Sequence, residues 1–201
     1  MSLKGFVGQA ILFEMGLGVL AWLLGWAFGF DPLAALLGPE RTFRQLLVGL
    51  ALGCLSMLPL FACLVWLHHH PGPLAEFQAY VQSQLVPFFQ GLSVYEVGLI
   101  SFAAGFGEEL FFRGLLQAGL ANWLGPPSGT AIGVLVAAFA FGCCHWLNNT
   151  YAALGTLVGL YLGGLFLWSE QLLVPMIAHG LYDFAAILYL TRNTEPPQAP
   201  V

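Results

Sequence analysis

The chain has few charged residues. Only 7% of its 201 residues are Asp, Glu, Lys or Arg, whereas 59% are hydrophobic. A soluble domain carries about 25% charged residues, so this chain lacks the side chains to cover a surface that faces water. Its net charge of −5 also gives it no basic patch for binding nucleic acid. These shortages predict an integral membrane protein that does not bind nucleic acid.

Cysteine is scarce as well. None of the cysteines has the Cys-x-x-Cys spacing of a zinc or redox motif, and all lie within apolar stretches. We therefore expect small buried hydrophobic residues rather than disulfides or metal ligands. The four are Cys54, Cys63, Cys143 and Cys144.

Long apolar segments, in contrast, are abundant. A helix needs about 20 residues to cross the hydrocarbon core of a bilayer, and polar, Pro-rich or Gly-rich breaks leave about six such segments. The sequence predicts an all-α, polytopic helical membrane protein, with the inner or plasma membrane of the cell as its expected location. The predicted spans are residues 6–30, 46–67, 94–123, 130–147, 151–168 and 172–190.

Several ionisable residues lie inside these segments. Each costs about 2.5–3.5 kcal/mol at the centre of a membrane helix, so such residues are candidates for function. Glu14 and Glu96 lie nearer the ends of predicted spans, where we expect water to reach them and their roles to be structural. The stronger candidates are Glu108, Glu109 and Arg113 in the third span, His145 near the end of the fourth, and His179 with Asp183 in the sixth.

Helical spacing separates the two adjacent glutamates. At about 100° per residue, Glu109 and Arg113 are i and i+4 and share a face, in the order that favours an ion pair. Glu108 points to another face and stays available for chemistry. Phe141 and His145 are also i and i+4, so the phenyl ring can pack under the imidazole and hold its orientation.

The remaining groups can share one polar pocket and satisfy one another there. His179 and Asp183 are i and i+4 and can hydrogen-bond or converge on one ligand. Glu108 and His145 can together deprotonate a water molecule, with His179 stabilising the oxyanion formed on an amide carbonyl. Alternatively, Glu108, His145 and His179 form a two-histidine, one-carboxylate set suited to zinc. Both arrangements indicate hydrolysis, with a cofactor that is either absent or zinc.

Three motifs on these spans resemble those of a known family. EELFFR (residues 108–113) is similar to EExxxR, FGCCH (141–145) to FxxxH, and HGLYD (179–183) to HxxxN/D. In this order they resemble the CPBP family of intramembrane proteases. These are also called CAAX-processing and bacteriocin-processing, or Abi, proteins and include the Ras-converting CAAX endopeptidases. The resemblance implies an all-helical membrane hydrolase that cleaves peptide bonds in or near the bilayer.

The resemblance also implies roles for the polar residues. Where the CAAX endopeptidases have asparagine, this chain has Asp183, and an ionised aspartate cannot donate a hydrogen bond to an oxyanion. Asp183 would then be protonated, orient His179 or ligate a metal. The family has been described both as metalloproteases and as metal-independent glutamate proteases, and the positions suited to an oxyanion hole favour the second. By analogy, Glu108 and His145 would activate the water, His179 and Asp183 would bind the oxyanion, and Glu109 and Arg113 would shape the site.

The resemblance covers about residues 94–190, which we interpret as a catalytic helical core. Residues 1–93 are predicted to hold two transmembrane helices and a polar segment with loosely helical apolar spacing, typical of an interfacial helix. Residues 191–201 are predicted to be disordered. The expected partners are the lipid bilayer and a peptide or membrane-protein substrate, and the oligomeric state is left open.

Two other functions compete with proteolysis. A non-proteolytic immunity or scaffold protein of the same fold would not need three intact polar motifs. A proton-coupled transporter could use Glu108, His145 and His179 as a relay, but transporters often contain internal repeats and this sequence shows none. The fifth span carries Gly155, Gly159 and Gly163 at intervals of four, which predicts close packing by a neighbouring helix.

Overall fold

The computed structural model describes residues 3–38 and 42–193, and every regular element within them is helical. This confirms the predicted all-α fold. Of the tail predicted to be disordered, residues 191–193 lie at the end of the last helix, and residues 194–201 lie outside the described residues. The α-helices in this part of the chain are α1 (Leu3–Ala27), α2 (Phe43–His69), α3 (Ala75–Tyr80), α4 (Val86–Phe89), α5 (Val94–Glu109), α6 (Ala118–Leu124), α7 (Ser128–Cys144), α8 (Asn149–Ser169) and α9 (Leu173–Arg192).

Two π-helical segments connect some of these helices. Val81–Leu85 joins α3 to α4, and Leu110–Gln117 joins α5 to α6. The third predicted span is therefore a continuous helical path whose middle is wound with the wider π turn. Such turns are rare and are frequently found at functional sites.

The helices account for all the predicted spans, but fewer than six meet the length of a membrane crossing. Among the described residues, four helices are long and apolar enough on their own, and the pair 72–89 and 94–124, bent by 109°, raises the number to five. The remaining helix, α7, is a shorter apolar helix of 17 residues. The polar segment after α2 is helical, as predicted, and its position at the membrane interface stays a prediction.

The surface of the bundle is strongly apolar, as expected for a protein that faces lipid. All six tryptophans are exposed, and all except Trp22 lie close to a helix end, where amphipathic rings favour the membrane–water boundary. The exposed tryptophans are Trp22, Trp26, Trp66, Trp123, Trp146 and Trp168.

The cysteines are all free, but the expectation that they are buried is wrong for three of them. Cys54, Cys63 and Cys144 are exposed and Cys143 is half-buried. In a membrane protein, an apolar stretch packs against lipid as readily as against other helices. Apolar neighbours in the sequence therefore did not indicate burial within the bundle.

Local capping sequences set where the helices of the core begin. The Ser93 hydroxyl accepts a hydrogen bond from the Glu96 backbone N–H, and the Glu96 carboxylate accepts one from the Ser93 N–H, at 3.3 and 2.8 Å. This capping box starts α5. Asn148 caps α8 by accepting from the Tyr151 N–H at 2.8 Å. Glu96 thus has the structural role expected of it.

Close helix crossings then bring these elements together. A Cβ on Gly105 of α5 would lie 2.7 Å from the Gly180 nitrogen and the Met176 carbonyl oxygen of α9. A Cβ on Gly53 of α2 would likewise lie 2.6 Å from Ile177 on α9. Because no side chain separates the backbones, α9 lies against both α2 and α5. Its polar residues therefore lie beside those of α5.

Candidate active site

The polar motif of α5 enters the interior of the bundle. Glu109 and Arg113 are completely buried, and Glu108 is 7% exposed. The capping box at Ser93 sets the start of this helix, and the Gly105 crossing sets its depth against α9. Three charged side chains are thus held where few water molecules can reach them, so their partners must come from the protein.

Glu109 is the centre of a buried hydrogen-bonded cluster. Its Oε1 accepts a hydrogen bond from Arg113 Nη1 at 2.7 Å, which is the i, i+4 ion pair expected from the spacing. The other terminal nitrogen of Arg113, Nη2, donates to the Gly159 carbonyl oxygen of α8 at 3.0 Å. The arginine therefore both neutralises Glu109 and ties the π-helical segment to α8.

His179 lies between two carboxylates. Its Nδ1 donates to Glu109 Oε1 at 2.8 Å, and its Nε2 lies 3.4 Å from Asp183 Oδ2. The contact with Asp183 is the i, i+4 contact that the sequence predicts. The shorter contact with Glu109 spans 70 residues of sequence and was not predicted, because the register between α5 and α9 depends on their crossing.

Glu108 faces a different histidine. Its Oε2 lies 3.8 Å from His145 Nε2, beyond the length of a direct hydrogen bond. His145 Nδ1 is 2.8 Å from the Phe141 carbonyl oxygen. Since a carbonyl can only accept, Nδ1 carries the hydrogen and a neutral ring presents the lone pair of Nε2 towards Glu108. The two groups therefore offer two acceptors to whatever lies between them.

One aromatic ring joins the two histidines. The Phe141 ring stacks on His145 with centroids 4.4 Å apart, as the spacing predicts, and meets His179 edge-on at 5.7 Å. The Arg113 guanidinium carbon also lies 4.7 Å from its centroid, within the range of a cation–π contact. Phe141 is 3% exposed. Its ring contacts both the side of the site formed by Glu108 and His145 (the Glu108 side) and the side formed by Glu109, Arg113 and His179 (the Glu109 side).

The comparison with protein families covers the region that carries this site. Residues 90–185 match the family model described as Rce1-like, type II CAAX prenyl endopeptidase. This confirms the resemblance indicated by the three motifs, all of which lie inside the matched residues. No curated protein and no solved structure matches the chain.

The glycine ridge of α8 packs closely against α7 and the candidate site, as predicted. A Cβ on Gly155 would lie 3.4 Å from the Cβ of His145, and one on Gly159 would lie 2.9 Å from the Cα of Ala138 in α7. The ridge also has a role that the sequence reasoning missed, because two of its backbone carbonyls accept hydrogen bonds from buried side chains. Gln117 Nε2 donates to the Gly163 carbonyl at 3.1 Å.

Arg113 and Gln117 are thus paired with Gly159 and Gly163 in the same i, i+4 rhythm. This repetition is the signal that could have revealed the pairing. Gln117 follows Arg113 by four residues, and Gly163 follows Gly159 by four residues, so the two donors and their two acceptors have the same spacing. The two donors fasten the site-bearing segment to α8 at two successive helical turns.

Glu14, on α1, lies much closer to the site than the sequence reasoning expected. Its Oε2 atom is buried, although the sequence reasoning expected water to reach this residue. The backbones of α1 and α5 touch at this level, since the Glu14 carbonyl oxygen occupies the position that a Cβ on Gly107 would take. A glycine immediately before the motif glutamates is the sequence signal that was overlooked.

The proposed zinc ligands do not converge in this arrangement. Across residues 3–38 and 42–193, no group of three or more His, Cys, Asp or Glu side chains is positioned to hold a metal ion. The reason is the orientation of His179, whose two ring nitrogens face Glu109 and Asp183 rather than Glu108 and His145. The donor set therefore does not fit the two-histidine, one-carboxylate zinc site.

Proposed function

We propose that this protein is an intramembrane endopeptidase that hydrolyses peptide bonds of a membrane-associated or peptide substrate. The observation that carries the proposal is the distance of 3.8 Å between Glu108 Oε2 on α5 and His145 Nε2 at the C-terminal end of α7, within the residues that match the Rce1-like family model. A buried carboxylate and an imidazole that do not bond each other directly leave room for a bridging water. That water is the nucleophile of the proposed reaction.

Water activation follows from the hydrogen-bonding roles of the two groups. A water bridging them donates one hydrogen to Glu108 and the other to His145 Nε2, which leaves an oxygen lone pair directed at the substrate. Glu108 accepts the proton as water adds to the carbonyl carbon and later delivers it to the leaving nitrogen. General acid–base catalysis of this kind contributes about 100- to 10,000-fold to a rate.

In this proposal, His179 stabilises the negative charge that develops on the carbonyl oxygen. Glu109 holds its Nδ1, so the ring keeps one orientation. When Nε2 carries a hydrogen, it donates to the oxyanion from a preorganised position. Asp183 is 30% exposed and lies 3.4 Å from Nε2. In this proposal it orients the ring and does not donate to the oxyanion itself.

The route for the substrate lies on the more open side of the site. The side chains of His145 and Asp183 are 29% and 30% exposed, whereas Glu109 and Arg113 are completely buried. A peptide approaching between α7 and α9 would meet Glu108, His145 and His179 before the buried ion pair. We place this reaction in the inner or plasma membrane of the cell. The family description names a prenyl endopeptidase, so a prenylated peptide is one of the substrates to test.

The decisive experiment is a cleavage assay on the purified full-length protein in lipid nanodiscs. Fluorogenic peptides with and without a prenyl group are compared for the wild type, Glu108→Gln and the control Glu76→Gln, whose carboxylate is exposed on α3. We expect Glu108→Gln to lower the rate by about 100- to 10,000-fold and Glu76→Gln to leave it unchanged. An unaltered rate in Glu108→Gln would contradict the proposal and favour a non-proteolytic membrane protein of this fold.

The same preparation tests the proposed independence from metal. Bound metals are measured by mass spectrometry, and cleavage is followed with and without a chelator. We expect full activity in protein freed of metal, since the donor set does not converge on one point. Activity that is lost with the chelator and restored by zinc would instead support the zinc alternative.

A further inference from the structure

The position of His145 at the end of α7 makes its orientation depend on its neighbours. It follows Cys144, the last residue of that helix, and its own backbone is no longer helical. The side chain is partly exposed, whereas that of His179 is buried. One hydrogen bond and one stacked ring, both from Phe141, hold the imidazole on one side. What packs against the rest of the ring therefore helps to decide where Nε2 points.

The start of α8 brings a second ring to His145. A Cβ on Gly155 would lie 3.4 Å from the Cβ of His145, so the backbone of α8 approaches this residue closely. Tyr151 is four residues before Gly155 and lies on the same face of the helix. The centroids of the Tyr151 and His145 rings are 6.4 Å apart, and the ring planes differ by 20°. This geometry is within the range of an offset-stacked pair.

Tyr151 is itself backed by a ring from the segment between α2 and α5. The centroid of the Phe77 ring, on α3, lies 5.8 Å from that of Tyr151. The next residue, Gln78, ties α3 to α2, because its Nε2 donates to the His68 carbonyl oxygen at 2.9 Å. Gly72, whose φ is +44°, allows the chain to turn between these two helices. Phe77 is therefore held against the start of α8 by contacts of its own segment.

These contacts form one continuous series of rings that runs from Phe77 through Tyr151 and His145 to Phe141. Phe77 lies outside residues 90–185, which match the family model, and Tyr151 belongs to none of the three motifs. The series nevertheless reaches the histidine that faces Glu108. Aromatic pairs at these distances favour particular orientations of both rings. The series can therefore transmit the position of α3 to the imidazole.

We propose that Tyr151 is a positioning residue of the proteolytic site and that Phe77 acts on the site through it. Tyr151 packs against His145 and keeps Nε2 directed at the water that it shares with Glu108. Phe77 keeps the Tyr151 ring in place. This inference rests on the proposed function, in which Glu108 and His145 hold that water. It gives α3, which precedes the residues matched by the family model, a part in aligning the site.

The nanodisc cleavage assay tests Tyr151 first. Tyr151→Leu removes the ring, whereas Tyr151→Phe keeps the ring and removes only the hydroxyl. Tyr95→Leu makes the same change at an exposed position of α5. We expect Tyr151→Leu to lower kcat by about tenfold with KM within about twofold, because His145 loses an aromatic contact that orients it. We expect Tyr151→Phe and Tyr95→Leu to stay within about twofold of the wild type.

A double variant tests whether Phe77 acts through Tyr151. We expect Phe77→Leu to lower kcat by about threefold, since the Tyr151 ring remains against His145 but loses its support. Without the Tyr151 ring, Phe77 has nothing to hold, so the double variant of Phe77→Leu and Tyr151→Leu should lose about tenfold, as Tyr151→Leu does alone. Independent effects would multiply to about 30-fold. Phe43→Leu, at an exposed position of α2, is the matched control and should leave kcat unchanged.

Three results would overturn the inference while the proposed function stands, with Glu108→Gln inactive. Wild-type kcat in Tyr151→Leu would show that Tyr151 does not position the site. An equal loss of kcat in Tyr151→Phe and Tyr151→Leu would show that the hydroxyl, and not the ring, is required. A loss of about 30-fold in the double variant would show that Phe77 acts independently of Tyr151. Full activity in Glu108→Gln would overturn both the proposed function and this inference.

Nuclear magnetic resonance measures the same packing without requiring activity. Isotopic labelling restricted to histidine gives one Cε1–Hε1 signal for each of the five histidines, and His145→Asn identifies the signal of His145. Because ring currents from neighbouring aromatic side chains displace this signal, we expect it to move in Tyr151→Leu and, by a smaller amount, in Phe77→Leu. It should not move in Tyr95→Leu. An unchanged His145 signal in either of the first two variants would contradict the inference, so one of them suffices if the other does not fold.

Discussion

Glu108 and Glu109 are adjacent in the chain, yet the two sides of the site they create are opposite in character. Glu109 is completely buried, with hydrogen bonds of 2.7 and 2.8 Å from Arg113 and His179. Glu108 has a contact of 3.8 Å to His145, and its Oε2 has no hydrogen-bond partner. The Oε2 atom of Glu109 is also without a partner, so the difference lies in Oε1 of Glu109, which holds Arg113 and His179, whereas the contact of Glu108 to His145 is too long for a hydrogen bond.

The difference shows how a membrane protein can hold a reactive group in place. A buried charge is tolerated when it is paired and hydrogen-bonded. The Glu109 cluster meets this condition and spans the π-helical segment, α8 and α9. Glu108 then depends on a framework made rigid by its neighbour. We expect changes on the Glu109 side to act mainly on stability, and changes on the Glu108 side to act mainly on the reaction rate.

The largest effect that tests this division is expected from Arg113→Met. The variant leaves the Glu109 carboxylate buried without its countercharge and removes the bond to the Gly159 carbonyl. Breaking a buried ion pair from one side costs about 3–5 kcal/mol. Thermal unfolding in nanodiscs should show a strong drop in Tm. Glu108→Gln serves as the comparison, and a drop of equal size in that variant would remove the distinction between the two sides.

A smaller loss of stability is expected from Gly159→Ala. The new Cβ would lie 2.9 Å from the Cα of Ala138, forcing α7 and α8 apart and displacing the carbonyl that Arg113 bonds. Overpacking of this kind costs about 1–3 kcal/mol. Gly164→Ala is the matched control, because a Cβ at Gly164 meets nothing within 4 Å. Equal Tm values for the two variants would show that the packing of α7 against α8 does not require a glycine at position 159.

Phe141→Leu should affect both sides of the site, because the ring contacts both histidines and Arg113. We expect a loss of about 0.5–1.5 kcal/mol in stability from the aromatic contacts. We also expect a lower kcat, because His145 loses the ring that orients it. Unfolding and cleavage are measured on the same sample. A change in stability with no change in kcat would show that Phe141 stabilises the Glu109 side of the site but does not orient His145 for the reaction.

The smallest effect is expected from Asp183→Asn. The contact to His179 is long, at 3.4 Å, and Glu109 already fixes the other nitrogen of the ring. An asparagine oxygen can still accept from Nε2, so kcat/KM should stay within about tenfold of the wild type. A loss as large as that of Glu108→Gln would show that the Asp183 carboxylate itself takes part in the reaction.

Contacts within one helix were predictable from the sequence. The pairs Glu109–Arg113, His179–Asp183 and Phe141–His145 are all i, i+4, and each is present. Helical geometry alone determines such neighbours. The π-helical segment from Leu110 to Gln117 was not predicted, but the ion pair between Glu109 and Arg113, which lies at its start, is formed all the same.

Contacts between helices were predictable only in outline. A polar pocket shared by Glu108, His145 and His179 was anticipated, but the partition of the histidines between the two glutamates was not. His145 faces Glu108 and His179 bonds Glu109. Water was expected to reach Glu14 because it was placed near the end of a span, but its Oε2 atom is buried.

The sequence by itself determined the membrane class, the helical path and the residues proposed to carry chemistry. These follow from composition, from apolar length and from spacing along a single helix, which are properties of the chain alone. Only the tertiary structure decided which histidine lies beside each carboxylate, with His145 near Glu108 and His179 bonded to Glu109. That choice depends on where backbones cross, at Gly105, Gly107 and Gly159, and on how far each side chain then lies from groups that are distant in the sequence.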